Sequence, residues 1–268
     1  MDVVKLGPLI IPLPAVLTVL AILAATTTAD WLYRRRGIDA GVVLWRMIVA
    51  GFLAARAVFV LRHHDLYGKA PWTAFDIRDG GFDLTAGLIV ACVIGAELTR
   101  RRADLRRPLL ASVLAGAAVW IGGQLAAQAL APPQARLPDL VLRRLDGSEV
   151  ALRSLADRPL VVNLWATWCP PCRREMPAMQ AAQRANPEIA FVFVNQRESS
   201  AIVRRFLATQ QLQLQNVVID PAGQLAARTG AAGYPTTLFY GADGKLRLRH
   251  VGELSEATLR DKLAIVRP

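Results

Sequence analysis

Cysteine and histidine are scarce, with three of each in 268 residues. Three thiols cannot build the disulfide framework of a small secreted scaffold, and the scattered histidines leave no Cys/His cluster of zinc spacing. No metal and no cofactor is predicted. Charged residues make up only 20 % of the chain against an apolar share of 53 %, which excludes disorder as the main state. Internal repeats and low-complexity tracts are also missing. Acidic residues are the minority, 21 against 32 Lys+Arg. The basic excess is no tail, and no nucleic-acid partner is predicted. It is mostly arginine, and in the first half it is clustered.

That clustering reads as membrane topology. Apolar runs occupy residues 9–32, 42–61, 82–98 and 109–131, each close to the roughly 20 residues that cross a hydrocarbon core. Arg34, Arg35 and Arg36 follow the first run, and Arg100, Arg101, Arg102, Arg106 and Arg107 follow the third. The positive-inside bias makes both loops cytoplasmic and leaves the N-terminus and everything after Ala131 outside. Pro8, Pro12 and Pro14 delay the first helix to near Ala15. No charged n-region or small-residue cleavage site precedes it, so an uncleaved span is expected. The third run is rich in Gly, Ala and Thr, as suits close helix packing. Arg46 reads as a snorkelling side chain, and Arg56 as an outer-interface anchor or a headgroup ligand. His63 and His64 read as a surface loop. Cys92, in an Ala/Val setting with no partner thiol nearby, reads as structural.

Beyond the connector Ala131-Pro132-Pro133-Gln134-Ala135 the long runs give way to short alternating ones. Strands are predicted at 140–144 and 149–152 around the Asp146-Gly147 turn, then at 160–165, 189–195, 217–219, 236–240 and 246–251. Helices are predicted at 173–186, 199–210 and 256–266. This order gives an α/β sheet with helices on both faces.

The chemistry is concentrated in Trp168-Cys169-Pro170-Pro171-Cys172, which follows an apolar strand and opens a helix. Cys169 then lies at the positive end of the helix dipole, where the thiolate is favoured and the sulfur becomes the attacking group. Cys172, one turn further in, is placed to resolve a mixed disulfide. Pro170 and Pro171 occupy positions whose N–H groups would have no helical partner. A C-x-x-C alone is equally half a metal site or a pair of buried thiols. The tryptophan before it, the strand, and Pro177 beyond it favour redox chemistry.

With these motifs, with Leu137-Pro138-Asp139 and its hairpin, and with Gly233-Tyr234-Pro235-Thr236-Thr237 before a strand, residues 137–266 resemble the TlpA/ResA branch of thioredoxin-like thiol-disulfide oxidoreductases. The resemblance implies a cis Pro235 lying against the dithiol. It also implies a substrate platform that includes Trp168, Pro170, Pro171 and Tyr234. Thioredoxins carry a buried aspartate where this chain has Asn163, which cannot titrate. The resemblance puts the acid/base function on Glu198, with a solvated carboxylate paired to Arg197 or Arg204 as the competing reading. Glu175 reads as an exposed first-turn residue favoured by the dipole.

The first half resembles prolipoprotein diacylglyceryl transferase over residues 5–98. The carriers are Leu6-Gly7-Pro8, the Ala50-Gly51-Phe52 segment with Arg56, and Gly80-Gly81 through Gly87-Leu88-Ile89. The family's His-Gly-Gly-Leu motif reads Thr85-Ala86-Gly87-Leu88 here. A threonine supplies no imidazole base, so acyl-lipid transfer is not expected.

The expected architecture is an α-helical membrane domain of four spans (1–131), a linker (132–136) and an α/β thioredoxin-like domain with a central mixed sheet flanked by helices (137–268). The expected activity is reduction of protein disulfides in the periplasm from a multi-pass inner-membrane anchor. Disulfide formation or isomerisation, and a lipid- or lipoprotein-binding anchor that targets the dithiol, are the competing readings. Expected partners are disulfide-containing periplasmic or membrane proteins such as apocytochrome c or lipoproteins, membrane lipid, and a DsbD- or CcdA-type reductase as electron donor. A reporter active only outside the cytoplasm should work when fused after Pro268 and fall silent when fused within residues 100–107. The reverse pattern would overturn both the span count and the compartment.

Overall fold

The computed structural model describes residues 3–6, 9–68, 71–130 and 136–267. They form two compact units, Met1–Phe75 with Gly81–Ala131, and Pro132–Pro268 with Asp76–Gly80. The predicted linker lies outside the described residues except for Arg136, which already bridges to Lys245.

The first unit begins with an antiparallel pair, β1 (Val3–Leu6) and β2 (Leu9–Pro12), and continues as α1 (Leu13–Arg36), α2 (Gly41–Arg62), α3 (His64–Tyr67), α4 (Leu84–Arg100) and α5 (Ala103–Ala129). The first apolar run is therefore not helical throughout, because its residues 9–12 pair as a strand. Pro12 holds an extended N-cap conformation, and Pro14 falls in the first turn, where a missing N–H leaves no helical bond unmade. Gly37, at φ 70°, ends α1 by donating its N–H to Tyr33 O at 2.8 Å, and the last-turn arginines 34–36 complement the dipole.

Among the described residues three helices, α1, α2 and α5, are long and apolar enough to cross a membrane. With 17 residues, α4 spans only about 26 Å at 1.5 Å per residue, short of a core of about 30 Å. Leu20, Leu23, Leu53, Leu110 and Leu114 are exposed, as suits helices whose outer faces meet an apolar solvent.

In this unit α1 packs along α5 and α2 along α4. The second pair approaches through glycine: a Cβ on Gly51 would lie 2.9 Å from Gly87 O, and one on Gly87 would lie 2.8 Å from Gly51 O. Two backbones this close leave no room for a side chain on either. Arg56 is buried, with Nε donating to Ala74 O and Nη1 to Gly81 O, both at 2.8 Å. Its guanidinium lies 5.6 to 5.8 Å from the Phe59, Tyr67 and Phe82 ring centroids. It acts as a clamp that ties the segment after α3 to α2, and neither sequence reading of it anticipates this. His63 is buried at the end of α2, stacked on Phe59 at 4.6 Å with Nδ1 3.1 Å from Phe59 O, so the surface-loop reading fails for it. His64 is exposed.

The second unit is a seven-stranded mixed sheet. Its strands are β3 (Val141–Arg144), β4 (Glu149–Ala151), β5 (Leu160–Trp165), β6 (Ala190–Gln196), β7 (Val217–Asp220), β8 (Thr236–Tyr240) and β9 (Leu246–Val251), in the order β4-β3-β7-β6-β5-β8-β9. Between them run α6 (Pro170–Ala185), α7 (Ser200–Thr209) and α8 (Gln224–Thr229), and α9 (Glu256–Leu263) follows β9. β5 pairs parallel with β6 and antiparallel with β8, and β6 pairs parallel with β7. Successive β5 residues alternate between two cores: Val161 and Trp165 pack with Phe191, Met176, Met179 and Leu259, while Leu160, Val162 and Leu164 pack with Val192, Val194, Leu225 and Leu238. This is the period of two expected for a strand covered on both faces.

The sequence reading misses α8, a six-residue helix capped from outside itself. The Asp220 carboxylate accepts from Gln224 N at 3.0 Å and Leu225 N at 2.8 Å. α6 starts at Pro170 and not at residue 173, because both prolines are tolerated in the first turn.

Substituting Gly51→Ala should force α2 from α4 and cost about 1–3 kcal/mol by overpacking against rigid backbone. A lower thermal midpoint for loss of helical circular dichroism in detergent is the expected reading. An unchanged midpoint would mean that the two helices do not meet there.

Candidate active site

β5 ends at Trp165, and the chain then turns through Ala166, Thr167 and Trp168, with Cys169 N donating to Ala166 O at 3.3 Å. Cys169 is the N-cap of α6. Its backbone is extended, Pro170 and Pro171 follow in the first turn, and its sulfur accepts from Cys172 N at 3.3 Å. Cys169 and Cys172 are joined, S–S 2.13 Å with Cα atoms 5.3 Å apart. Cys169 is 3 % exposed and Cys172 0 %, while the neighbouring Trp168 is 66 % exposed. The dithiol is thus sealed from below and flanked by an apolar ring that faces solvent.

The Tyr234–Pro235 peptide bond is cis and leads into β8. Tyr234 meets Trp168 edge-on with ring centroids 6.2 Å apart, which brings the two proposed platform residues together beside the cysteines. Partial burial raises the Tyr234 phenol above its ordinary value.

Glu198 lies just past β6, and its carboxylate is fully engaged. Oε2 accepts from Thr167 N and from Asn195 Nδ2, each at 2.7 Å, and Oε1 accepts from Thr167 Oγ1 at 2.5 Å. Neither arginine of the competing reading is its partner, and Arg204 instead donates to Leu145 O. Glu198 therefore fixes the turn two residues before Cys169.

The sequence reading of Glu175 is corrected. It is 1 % exposed, with Oε1 accepting from Asn163 Nδ2 at 2.8 Å and Oε2 from Leu254 N at 3.1 Å. Burial pushes its carboxyl up to about 8, an effect that the Asn163 and Leu254 bonds only partly oppose. Asn163 also donates to Thr237 Oγ1 at 3.1 Å, linking β5, α6 and β8 through one amide. The signal available in the sequence was helical phase. Glu175 shares its face with Cys172, Met176 and Met179, all buried.

Comparison with known proteins agrees with this geometry. Residues 132–263 match the Redoxin family model, and residues 2–126 match the model of prolipoprotein diacylglyceryl transferase, further along the chain than the resemblance in the sequence reached. Thioredoxin-like protein YneN of Bacillus subtilis is 33 % identical over 130 residues, 47 % of this chain and 75 % of its own length. The chain belongs to the thioredoxin-like thiol-disulfide oxidoreductases. Thiol-disulfide oxidoreductase ResA of Halalkalibacterium halodurans is 30 % identical over 132 residues, covering 48 % of this chain and 74 % of ResA. A thioredoxin-family thiol:disulfide interchange protein from Chlorobium tepidum aligns over 51 % of this chain and 98 % of its own at 26 % identity and a TM-score of 0.45. This oxidoreductase is thus of the ResA/DsbE type, with an N-terminal region of apolar helices.

The raised Glu175 value has a definite sign. Folded, Glu175 keeps its proton to about pH 8; unfolded, it releases the proton near 4.5. Between those values the folded state binds more protons, so this group's contribution shifts toward unfolding as pH rises through the window, by an amount on the order of a few kcal/mol. Denaturant unfolding followed by tryptophan fluorescence should show a Glu175→Gln variant with a flatter pH dependence than the parent between pH 5 and 8. Parallel profiles would contradict the buried, protonated carboxyl.

Proposed function

We propose that the chain is a membrane-anchored periplasmic protein-disulfide reductase, held by four spans and acting through Cys169 and Cys172. The observation that carries this reading is a closed two-sulfur pair whose first member caps a helix N-terminus. In the reduced protein the Cys169 thiolate, favoured by that terminus, attacks one sulfur of a substrate disulfide and expels the other as a thiolate. Cys172 then attacks the Cys169 sulfur, releases the second substrate thiol and leaves the Cys169–Cys172 bond. The substrate gains two electrons and two protons, and the chain loses them.

Glu175, one helical turn beyond Cys172 and pushed up to about 8, stays protonated at neutral pH and becomes able to accept the Cys172 proton as pH approaches 8. Glu198 acts as a positioning residue that holds the turn before Cys169. Trp168, Tyr234 and Pro235 offer an apolar platform to an extended substrate segment, with Pro170 and Pro171 shaping the dithiol. Disulfide-containing proteins are the substrate class that the ResA- and DsbE-type relatives suggest, and apocytochrome c and lipoproteins are the members of that class put forward here.

The fourth span rests on α4, which is short but packs along α2. Thr85 in the first turn of α4 offers no base, so the helical region serves as an anchor and not as a transferase. Cys92 is exposed on α4 as the one free thiol among the described residues. A relay across the membrane needs thiol pairs, so recharging falls to a separate DsbD- or CcdA-type reductase.

Replacing Cys172→Ser should accumulate mixed disulfides with substrate proteins through Cys169, resolved on non-reducing gels and released by dithiothreitol. Cys169→Ser should accumulate none. Disulfide-reducing activity retained by both single variants would rule out the dithiol mechanism.

A further inference from the structure

Two adjoining concavities in the helical unit share a pair of residues, and their chemistry differs. One is an open cleft of about 430 Å³ beside α1 and α2, lined by Thr26, Asp30, Asp39, Trp45 and Arg46 among others. The other, about 510 Å³, runs along α2 and α4 over Val49, Ala50, Leu53, Ile94 and Leu98, and begins at the same Trp45 and Arg46. A cleft that carries Asp30, Asp39 and Arg46 thus opens into an apolar groove at one arginine.

The polar groups of the first compartment differ in how far they are already satisfied. Thr26 Oγ1 is committed to Ile22 O at 2.9 Å, and Asp39 Oδ1 accepts from Gly41 N at 2.8 Å. Asp30 and Arg46 line the same cleft and make no hydrogen bond or ion pair with any described residue. At 1.5 Å per residue they lie about 9 and about 8 Å in from the ends of α1 and α2 that face each other across the Gly37 turn, so they stand at matching depth. An arginine and an aspartate on apolar helices are costly there unless each meets an opposite charge. Val49 and Leu53, which floor the groove, are more than half exposed and need an apolar cover.

We propose that this composite site binds one phospholipid with an ammonium headgroup, of the phosphatidylethanolamine type, in the leaflet next to the Arg34–Arg36 turn. The phosphate meets Arg46, the ammonium meets Asp30, and an acyl chain lies along Val49, Leu53, Ile94 and Leu98. Trp45 sits at the junction, where an amphipathic ring is favoured. Charge complementarity selects the headgroup: a lipid carrying phosphate alone would satisfy Arg46 but leave the Asp30 carboxylate facing further negative charge. The proposal rests on the membrane reading of these helices. The reporter fusions test that reading separately, so a failure of the lipid site leaves a distinct trace.

The test is native mass spectrometry of the full chain in detergent, titrated in parallel with dioleoyl-phosphatidylethanolamine and dioleoyl-phosphatidylglycerol. The parent should bind one phosphatidylethanolamine about tenfold more tightly than phosphatidylglycerol, the size of one charge-assisted contact. Arg46→Gln should weaken both lipids, and Asp30→Asn should erase the preference. Leu53→Trp, which crowds the groove without changing charge, should weaken both lipids equally. Both polar side chains are exposed and bond to nothing, so the variants should keep the parent's helical circular dichroism. Equal affinity for the two lipids, a preference for phosphatidylglycerol, or binding indifferent to all three substitutions would overturn the proposal.

Discussion

The burial of β5 is the constraint on which the rest of the redox unit depends. Every residue from Leu160 to Trp165 is buried, with β6 on one edge and β8 on the other, so the strand can neither slip in register nor rotate. The turn that carries Cys169 begins where this strand stops. The cis Tyr234–Pro235 bond precedes β8, and Glu198 follows β6, so the three segments that surround the dithiol are delivered by three adjacent strands. Asn163, in mid-strand, reaches the helix that carries Cys172 by way of Glu175.

Two opposing electrostatic demands meet at that helix. Its N-terminus favours negative charge on Cys169, as the free N–H groups of a first turn do. A carboxylate one turn past Cys172 would disfavour negative charge on the second sulfur, since like charges at such separations repel strongly in a dry interior. The structure reconciles the two by burying Glu175 so thoroughly that its neutral form prevails at ordinary pH. Asn163 fixes the carboxyl in place without adding a second ionisable charge to the same pocket, and its amide bond only partly offsets the effect of burial.

Much of this was legible in the residues. The Cys-Pro-Pro-Cys turn, the alternation of strands and helices, and the Asp146-Gly147 turn all act locally, and local chemistry reads directly from sequence. Glu175 did not, because a carboxylate in a first helical turn is ordinarily solvated and only the tertiary contact with Asn163 and Leu254 changes that. Glu198 was found on resemblance, while its three donors, from Thr167 and Asn195, lie a strand away and are not legible in the sequence. Arg56 and His63 were misread for a similar reason. Hydropathy sees a charge near a helix end and cannot see that Ala74 and Gly81 fold back to receive Arg56, or that His63 lies against Phe59. The missed α8 is capped by Asp220, whose contribution depends on where β7 ends.

The helical unit obeys a different rule from the redox unit, and the contrast bears on how the two halves work. In the sheet, specificity comes from large side chains filling both faces. In the helices the closest approach is made by leaving side chains out, at Gly51 and Gly87, and the core that remains is built on alanines such as Ala25, Ala29 and Ala40. Such packing leaves large residues such as Leu53 and Leu110 on the outside, and it leaves a lone thiol, Cys92, with no second sulfur to exchange with. Electron transfer through thiols proceeds in pairs. The thiol pair stands in the redox unit and a single thiol in the helical one, so the disulfide exchange that needs two sulfurs belongs to the redox unit.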